Sequence, residues 1–247
     1  MATELAGSAI ILFDLDGTLI DIMPYHLAAV DRVMQRVWGI ERLPAAVERQ
    51  GSPQLETLRQ GCRMLGLADD EIDWRLQEAC ALLAAETVSS LPSDLTPYLL
   101  PGALRLLQRL SADRAHLGLV TGTVGGTVAA VLERAGLARF FPVAATGDEA
   151  SCREGLVRLA MDRAACIYGL ERGRIAAVTV GDAAADIHAG KALGARTVGV
   201  ATGGLSVAEL RWLGADVVLE SLEDDQNAFA TIMSLAEGQP PHVDQGH

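Results

Sequence analysis

The sequence predicts an α/β protein built on a doubly wound parallel sheet, with an all-helical domain inserted after the first strand. Three observations predict this fold: an apolar run at residues 9–13, helical periodicity without a convincing strand at about 24–90, and alternating strand-like and helix-like segments from residue 117 onward. Such alternation is typical of βαβ units. We therefore expect a core formed by residues 1–19 and 98–237, an inserted helical domain at 20–97, and a disordered tail at 238–247.

The N-terminal part of the chain carries one strand followed by helices. Residues 9–13 form a continuous apolar run that ends in a polar, glycine-containing turn, which is typical of a strand buried on both faces of a parallel sheet. Apolar residues then recur at helical spacing, which predicts helices at about 25–38, 55–65 and 72–83. The proline-rich segment at 91–101 predicts a linker or hinge that leads back to the core.

The C-terminal part of the chain alternates between the two kinds of element. Short apolar runs predict strands at 117–120, 141–145, 175–180, 197–200 and 216–219. Helical periodicity predicts helices at 124–135, 156–168, 184–193 and 207–213. The carboxyl ends of parallel strands meet at one edge of the sheet, where open α/β proteins bind their ligands. We therefore looked for chemistry in the residues that follow each strand.

The charge balance limits the kinds of partner. The chain has 32 acidic and 20 basic residues, a net charge of −12. This excess argues against sequence-independent binding of nucleic acid and against docking on an anionic membrane surface. It does not argue against a small anionic substrate, because a metal ion or local donors reverse the field inside one pocket.

The cysteines and the N-terminus indicate a cytoplasmic protein. The four cysteines are scattered, without a CxxC pair, and are expected to be buried thiols in a reducing compartment. The N-terminus lacks the basic and apolar regions of a secretory signal, and the apolar runs are shorter than the roughly 18 residues of a membrane span. The sequence gives no indication of the oligomeric state.

Acidic side chains and a hydroxyl follow three of the predicted strands. Asp14 and Asp16 follow the first strand, Thr121 follows the second, and Asp182 and Asp186 follow the strand at 175–180. Clustered carboxylates repel one another and are costly to bury. A hard divalent cation removes that penalty, and oxygen ligands suit Mg²⁺. The pattern therefore predicts a Mg²⁺ site at this edge of the sheet.

The turn after the first strand has the residues for covalent chemistry. Asp14 and Asp16 are two residues apart and point to the same face, so that one can act as a nucleophile and the other as a proton donor. Gly17 permits a tight backbone beside a ligand, and Thr18 can offer its hydroxyl and N–H to an anion. Taken singly, Asp16–Gly17 is also typical of a simple turn and Asp182 of a helix cap. Their joint occurrence at corresponding strand ends favours a site.

These segments resemble the motifs of the haloacid dehalogenase (HAD) superfamily. Residues 14–19 (DLDGTL) resemble its first motif, Thr121 its second, and residues 181–186 (GDAAAD) its fourth. The resemblance covers about residues 9–220 and implies a Rossmann-like core with a helical C1 cap as the insert. The chain looks most like phosphoglycolate phosphatase-like and β-phosphoglucomutase-like members.

The resemblance also implies roles for individual residues. Asp14 would form an aspartyl-phosphate, while Asp16 would protonate the leaving alcohol and later activate water. Thr121 and the backbone at Gly122 would bind the phosphoryl oxygens. The implied cofactor is Mg²⁺, with ligands from Asp14, the main-chain carbonyl of Asp16, Asp182 and Asp186. An aspartate at position 16 favours phosphatase or phosphomutase chemistry over dehalogenation.

Two side chains extend the implied site, each with a plainer alternative. The family's third motif usually supplies a lysine, but Lys191 is the only lysine and lies in the fourth motif. Arg153 is the expected substitute, and a surface arginine is the alternative. His26 lies near the expected cleft, where β-phosphoglucomutase-like members have a cap histidine; the alternative is an ordinary polar helix residue. The cap loop at residues 49–52 is also expected to reach the substrate.

The expected function is Mg²⁺-dependent hydrolysis of a small phosphorylated metabolite, as in phosphoglycolate phosphatase-like members. A phosphomutase of sugar phosphates would use the same site. A third reading is a non-catalytic regulatory or binding protein on the HAD scaffold, which only the missing lysine favours. The glycine-rich segment at 121–127 lacks the spacing of a dinucleotide-binding turn and does not follow the first strand, so a nicotinamide enzyme is disfavoured.

Overall fold

One six-stranded parallel sheet organises the computed structural model, which describes residues 9–47, 51–171 and 175–238. The strands are β1 Ala9–Phe13, β2 His116–Val120, β3 Val143–Ala145, β4 Ala176–Gly181, β5 Arg196–Val200 and β6 Val217–Leu219. Their order in the sheet is β3-β2-β1-β4-β5-β6, and each neighbouring pair is parallel. This is the strand order of a doubly wound Rossmann sheet, so the predicted fold class is confirmed.

The helices separate the strands along the chain. They are α1 Met23–Trp38, α2 Gln54–Met64, α3 Asp69–Ser90, α4 Ala103–Ala112, α5 Gly125–Arg134, α6 Arg153–Tyr168, α7 Ala184–Ala192, α8 Val207–Trp212 and α9 Asp225–Ala236. Single 3₁₀ turns lie at Thr96–Tyr98 and Ala138–Phe140. Within the described part of the chain, no helix is long and apolar enough to cross a membrane.

Both faces of the sheet are covered by helices, as the apolar first strand predicts. Ile11 and Phe13 of β1 belong to a core that includes residues of α4, α5 and α9. Ile10 and Leu12, which point the other way, belong to a second core with residues of α6 and α7. All five residues of β1 are buried. Because β1 is buried along its length, the residues that can meet a ligand are those that follow its carboxyl end.

The inserted helices α1, α2 and α3 have an apolar core of their own. Val33 and Met34 of α1, Leu58 of α2, and Ile72 and Leu83 of α3 are fully buried in it. Val124, in the loop that joins β2 to α5, belongs to the same cluster and ties the insert to the sheet. The predicted helical insertion between the first two strands is confirmed, whereas its exact borders stay a prediction.

Two helices of the core were not expected from the sequence. Helix α4 follows the proline-rich segment at once and buries Leu106, Leu107 and Leu110, while α9 buries Ile232 and Leu235. Both have apolar residues at intervals of three and four, the signal that indicates a helix elsewhere in this chain. The segment at 91–101 is thus a short connection containing a 3₁₀ turn, after which the chain re-enters the core.

Smaller expectations also need correction. Strand β3 begins at Val143 instead of residue 141, and the residue before it, Pro142, has no N–H to donate to a neighbouring strand. Cys152 and Cys166 are exposed and Cys80 is half-buried, so the expectation of four buried thiols holds only for Cys62. The predicted tail lies outside the described residues from position 239 onward, as do Arg49 and Gln50 of the predicted cap loop.

Candidate active site

The candidate site lies where β1, β2 and β4 end side by side. The backbone N–H of Asp14 donates to the Val180 carbonyl at 2.8 Å and prolongs the pairing of β1 with β4. The N–H of Thr121 likewise donates to the Ala145 carbonyl at 3.0 Å. Asp182 directly follows β4, which ends at Gly181. The register of the parallel sheet thereby brings the turns after all three strands together.

Three carboxylates converge at this edge. Asp14, Asp182 and Asp186 are all buried, and one carboxylate oxygen of each lies within 4.8 Å of the others. Burial raises the pKa of Asp14 well above its usual value, although Arg153 opposes the rise, and the two other acids add to it. Burial and the charge of Asp186 raise the pKa of Asp182 to about 7. Clustered carboxyl groups, which present oxygen ligands alone, fit a hard divalent cation.

Arg153, the first residue of α6, is the buried cation of the site. Its Nη2 contacts the Asp14 carboxylate, lies 2.5 Å from Oδ1 of Asp186, and donates to the Val120 carbonyl at 2.9 Å. Burial alone lowers the pKa of the guanidinium, but the two acids outweigh it and hold the group charged. The surface-arginine alternative is therefore wrong. Nε and Nη1 are buried and lack a hydrogen-bond partner among the described residues, so two donors are available to a ligand.

Asp16 belongs to a different environment from the acidic cluster. Its Oδ2 accepts a hydrogen bond from Oγ1 of Thr123 at 3.1 Å and lies 3.0 Å from Nε2 of His26. Its Oδ1 is buried, with no hydrogen-bond partner in the described ranges of the chain. The two acids of the first turn thus differ as the sequence suggests they can: Asp14 faces acids and an arginine, whereas Asp16 faces hydroxyl and imidazole groups. A ligand contribution from the Asp16 main-chain carbonyl stays a prediction.

His26 reaches the site from the first inserted helix. It is only 3% exposed and approaches Asp16 with Nε2, although this N–H is not aligned as a hydrogen bond to any described atom. Its Nδ1 lies 3.1 Å from Nε2 of Gln54. Burial lowers the pKa of the imidazole, but the neighbouring Asp16 carboxylate outweighs burial, and the net shift is upward. His26 is therefore more than an ordinary polar residue of α1.

Gly17 and Thr18 contact Asp182 of the acidic cluster, whereas the sequence predicts contact with a ligand. Gly17 has φ +80°, and a Cβ there would lie 2.5 Å from Oδ2 of Asp182, so only glycine fits. Thr18 is fully buried and donates its hydroxyl to Oδ1 of Asp182 at 3.3 Å. Because this hydroxyl is directed at the Asp182 carboxyl group, the expectation that it faces a substrate anion is revised.

The loop after β2 forms the floor of a small cavity. A Cβ on Gly122 would overlap the Ser52 carbonyl oxygen, and the N–H of Gln54 donates to the Gly122 carbonyl at 2.8 Å. The inserted segment at 51–54 therefore rests directly on the loop that is expected to bind a phosphoryl group. The cavity, about 60 Å³ and partly open to solvent, is lined by Asp14, Asp16, Met23, His26, Gly51, Ser52, Gln54, Thr121, Gly122, Thr123, Arg153 and Asp182.

Several residues of the site were not singled out from the sequence. Thr123 lies two residues after Thr121, so the hydroxyl-bearing residue type at the same strand end is a signal that the sequence does contain. Gln54 and Thr202 gave no such signal; the Thr202 hydroxyl donates to the Gly17 carbonyl at 2.6 Å from 185 residues away. Gly203 packs so closely on Asp182 that a Cβ there would overlap its carboxylate. Long-range contacts of this kind follow from the loop paths and not from local spacing.

Comparison with known proteins relates this arrangement to one family. The haloacid dehalogenase-like hydrolase family matches residues 11–200. A phosphoglycolate phosphatase of Rhodospirillum rubrum is 31% identical over 216 residues, covering 85% of this chain and 86% of that protein. Another, of Pseudomonas fluorescens, is 28% identical over 205 residues, covering 78% of this chain and 70% of that protein.

Solved structures share the fold. The crystal structure of a hydrolase from Pseudomonas syringae has a TM-score of 0.67 at 24% identity and covers 91% of this chain and 99% of that one. A β-phosphoglucomutase from Clostridium difficile has a TM-score of 0.65 at 18% identity, with coverage of 94% and 97%. At this identity the likeness concerns the fold alone. The family match over most of the chain carries the assignment: this chain belongs to the haloacid dehalogenase-like hydrolase family.

Proposed function

We propose that the chain is a Mg²⁺-dependent phosphatase that hydrolyses a small phosphomonoester through an aspartyl-phosphate on Asp14. One observation carries the proposal: Asp14 and Asp182 of the buried acidic cluster line a cavity with Arg153 and with a second acid, Asp16, one oxygen of which has no hydrogen-bond partner among the described residues. The names of the related phosphatases support the reaction class. A scaffold without catalysis would have no reason to retain buried acids that repel one another.

Asp14, Asp182 and Asp186, with the main-chain carbonyl of Asp16, would hold the metal ion. When bound, Mg²⁺ supplies charge neutralisation for the phosphoryl oxygens and for the clustered acids. The protein's own contribution is to keep the three carboxylates together and dry, through the glycine contact at Gly17 and the hydroxyl of Thr18.

In the first half-reaction, a carboxylate oxygen of Asp14 attacks phosphorus and the bond to the leaving alcohol breaks. The unpaired guanidinium nitrogens of Arg153 and the turn at Thr121 and Gly122 hold the phosphoryl oxygens, since all three residues line the same cavity. Because phosphoryl transfer depends mainly on positioning and charge stabilisation, these preorganised donors are the main catalytic contribution of the chain.

Asp16 acts as general acid in the first half-reaction and as general base in the second. Its protonated Oδ1 gives a proton to the leaving oxygen in the first step. The resulting carboxylate takes a proton from water in the second, as the water oxygen bonds to phosphorus and releases Asp14. Oδ1 is the suitable atom because Oδ2 is already engaged by Thr123 and approached by His26. Asp14 is therefore the nucleophile, and Asp16 is the general acid and base.

The inserted helices act as a cap in this proposal. Residues 20–97 form the cap over a core of 1–19 and 98–237, and the contact of the 51–54 segment with Gly122 encloses the substrate. A closed cap excludes bulk water from the aspartyl-phosphate. The relatives are named as phosphoglycolate phosphatases, which supports a short leaving group.

The test is phosphate release from a panel of phosphomonoesters, in Mg²⁺ and in chelator. The panel contains phosphoglycolate, sugar phosphates, nucleotides and an aryl phosphate, and Asp14→Asn serves as the matched inactive control. Release that needs Mg²⁺ and Asp14 supports the proposal, and the preferred ester identifies the substrate class. Isomerisation of a sugar phosphate without release would favour a phosphomutase instead. Folded protein that releases nothing from any ester would overturn the proposal.

A further inference from the structure

Gln54, at the start of α2, joins three parts of the site. Its backbone N–H donates to the Gly122 carbonyl at 2.8 Å. Its side-chain Oε1 accepts from the backbone N–H of Val124 at 3.1 Å, and its Nε2 lies 3.1 Å from Nδ1 of His26. One cap residue thus contacts the phosphoryl-binding loop twice and the imidazole once. These contacts do not follow from any family motif in the sequence.

The hydrogen bond from Val124 fixes which way the Gln54 amide points. A backbone N–H can only donate, so the oxygen of the amide must face Val124 and the NH₂ group must face His26. An NH₂ group can only donate, so Nδ1 of His26 must be the unprotonated, accepting nitrogen. The ring proton of the neutral imidazole is then on Nε2, the atom 3.0 Å from Oδ2 of Asp16.

We infer that Gln54 is a positioning residue that holds His26 in the Nε2–H tautomer, so that a donor faces Asp16 and the cavity. This inference rests on the proposed function, because it assigns Asp16 as the acid–base group. With Thr123 and His26 both turned to Oδ2, Oδ1 is left as the atom that exchanges a proton with substrate. Gln54 acts through His26 and does not touch the reacting atoms.

The link also makes the donor depend on the position of the cap. Gln54 and His26 belong to the inserted helices, whereas Val124 and Asp16 follow core strands. If the segment at 51–54 moves away from Gly122, Gln54 loses the Val124 N–H that orients its amide. The tautomer of His26 is therefore set only when the cap rests on the loop. Asp16 then has the Nε2–H of His26 beside it only in the closed form.

Nitrogen NMR of histidine-labelled protein tests the tautomer without reference to turnover. Above the pH range in which the imidazole titrates, we expect Nδ1 of His26 to have the shift of an unprotonated nitrogen and Nε2 that of a protonated one, with the resonances assigned by His26→Ala. In Gln54→Leu, which cannot donate to Nδ1, we expect the two tautomers to mix. A protonated Nδ1 in the unmodified protein, or an unchanged spectrum in Gln54→Leu, would overturn the inference. Neither outcome depends on the protein being a phosphatase.

Kinetics with an ester that the enzyme accepts then test the consequence. We expect Gln54→Leu to lower kcat roughly tenfold to a hundredfold, with a smaller change in KM, as for a misplaced catalytic group. Gln60→Leu is the matched control, since Gln60 lies on the same helix and its side chain contacts Glu56. In a His26→Ala background, Gln54→Leu should have little further effect, because the two residues act in series. Fully additive losses would contradict action through His26.

Discussion

The guanidinium of Arg153 contacts the carboxylate of Asp14, 139 residues earlier in the chain, and both groups are buried. The same nitrogen lies 2.5 Å from Asp186, so one cation bridges two acids of the cluster. In the proposed function, this bridge would take the place of the lysine that the family's third motif usually supplies. Its positive charge lowers the mutual repulsion of the buried acids. The charge and the planar shape of the arginine can therefore be tested separately.

Replacing Arg153 is expected to affect both turnover and stability. Arg153→Met leaves Asp14 and Asp186 buried without a counter-charge, and breaking such a pair typically costs about 3–5 kcal/mol in the free energy of unfolding. Arg153→Lys keeps a charge but loses the planar donors, so we expect partial activity and a smaller loss of stability. Chemical unfolding in chelator and steady-state kinetics measure the two effects. Arg158→Met, an exposed position on the same helix, is the control. Near-normal kcat in Arg153→Met would exclude a catalytic part for Arg153.

Replacing the nucleophile is expected to separate activity from folding. Asp14→Asn keeps the shape of the side chain but removes the attacking oxygen anion, so turnover should fall by at least roughly a thousandfold. Stability in chelator should change little, because Arg153 keeps Asp186 as a charged partner after the substitution. Phosphate release and thermal unfolding measure these outcomes. Unchanged turnover would show that another residue attacks phosphorus.

The acidic cluster was predictable because its geometry follows from the sheet. Asp14 and Asp182 follow adjacent parallel strands. Parallel pairing places the ends of such strands side by side, independently of the length and path of the connecting loops. Arg153 was predictable only as a substitute for a lysine. That it is buried and bridges two acids depends on how α6 packs on the sheet.

The rest of the site depends on packing between distant segments. His26 meets Gln54 because α1 and α2 share an apolar core, and Gln54 meets Val124 because the insert rests on the loop after β2. Thr18 was expected to face a ligand but turns to Asp182, since the left-handed Gly17 reverses the chain beneath the cluster. Local spacing contains none of this information.

The stability of the metal-free protein is expected to fall as pH rises. The pKa of Asp14 is raised by burial, and that of Asp182 is raised to about 7 by burial and by Asp186. The folded protein therefore binds more protons than the unfolded chain between about pH 4 and pH 7, and it loses on the order of a few kcal/mol as pH rises through that window. Thermal unfolding in chelator at about pH 5.5 and about pH 8 measures the difference.

Mg²⁺ should reverse that pH dependence. A bound cation favours ionised carboxylates, so it should stabilise the protein more at about pH 8 than at about pH 5.5. Asp182→Asn, which removes one of the titrating acids, should weaken both effects. Greater stability at the higher pH in chelator would mean that the clustered acids are not protonated in the folded state.

Gly122 is expected to control how closely the cap segment rests on the core. A Cβ at this position would overlap the Ser52 carbonyl oxygen and lies near the backbone of Pro53. Backbone atoms cannot rotate away as a side chain can, so Gly122→Ala must push the 51–54 segment off the loop and weaken the bond from the Gln54 N–H. The sheet, with its separate apolar cores, should be little affected. We therefore expect a raised KM, a lower kcat and faster proteolysis within the cap, with a small change in the free energy of unfolding. If kinetics and proteolysis both match those of the unmodified protein, the contact between Ser52 and Gly122 does not hold the cap closed.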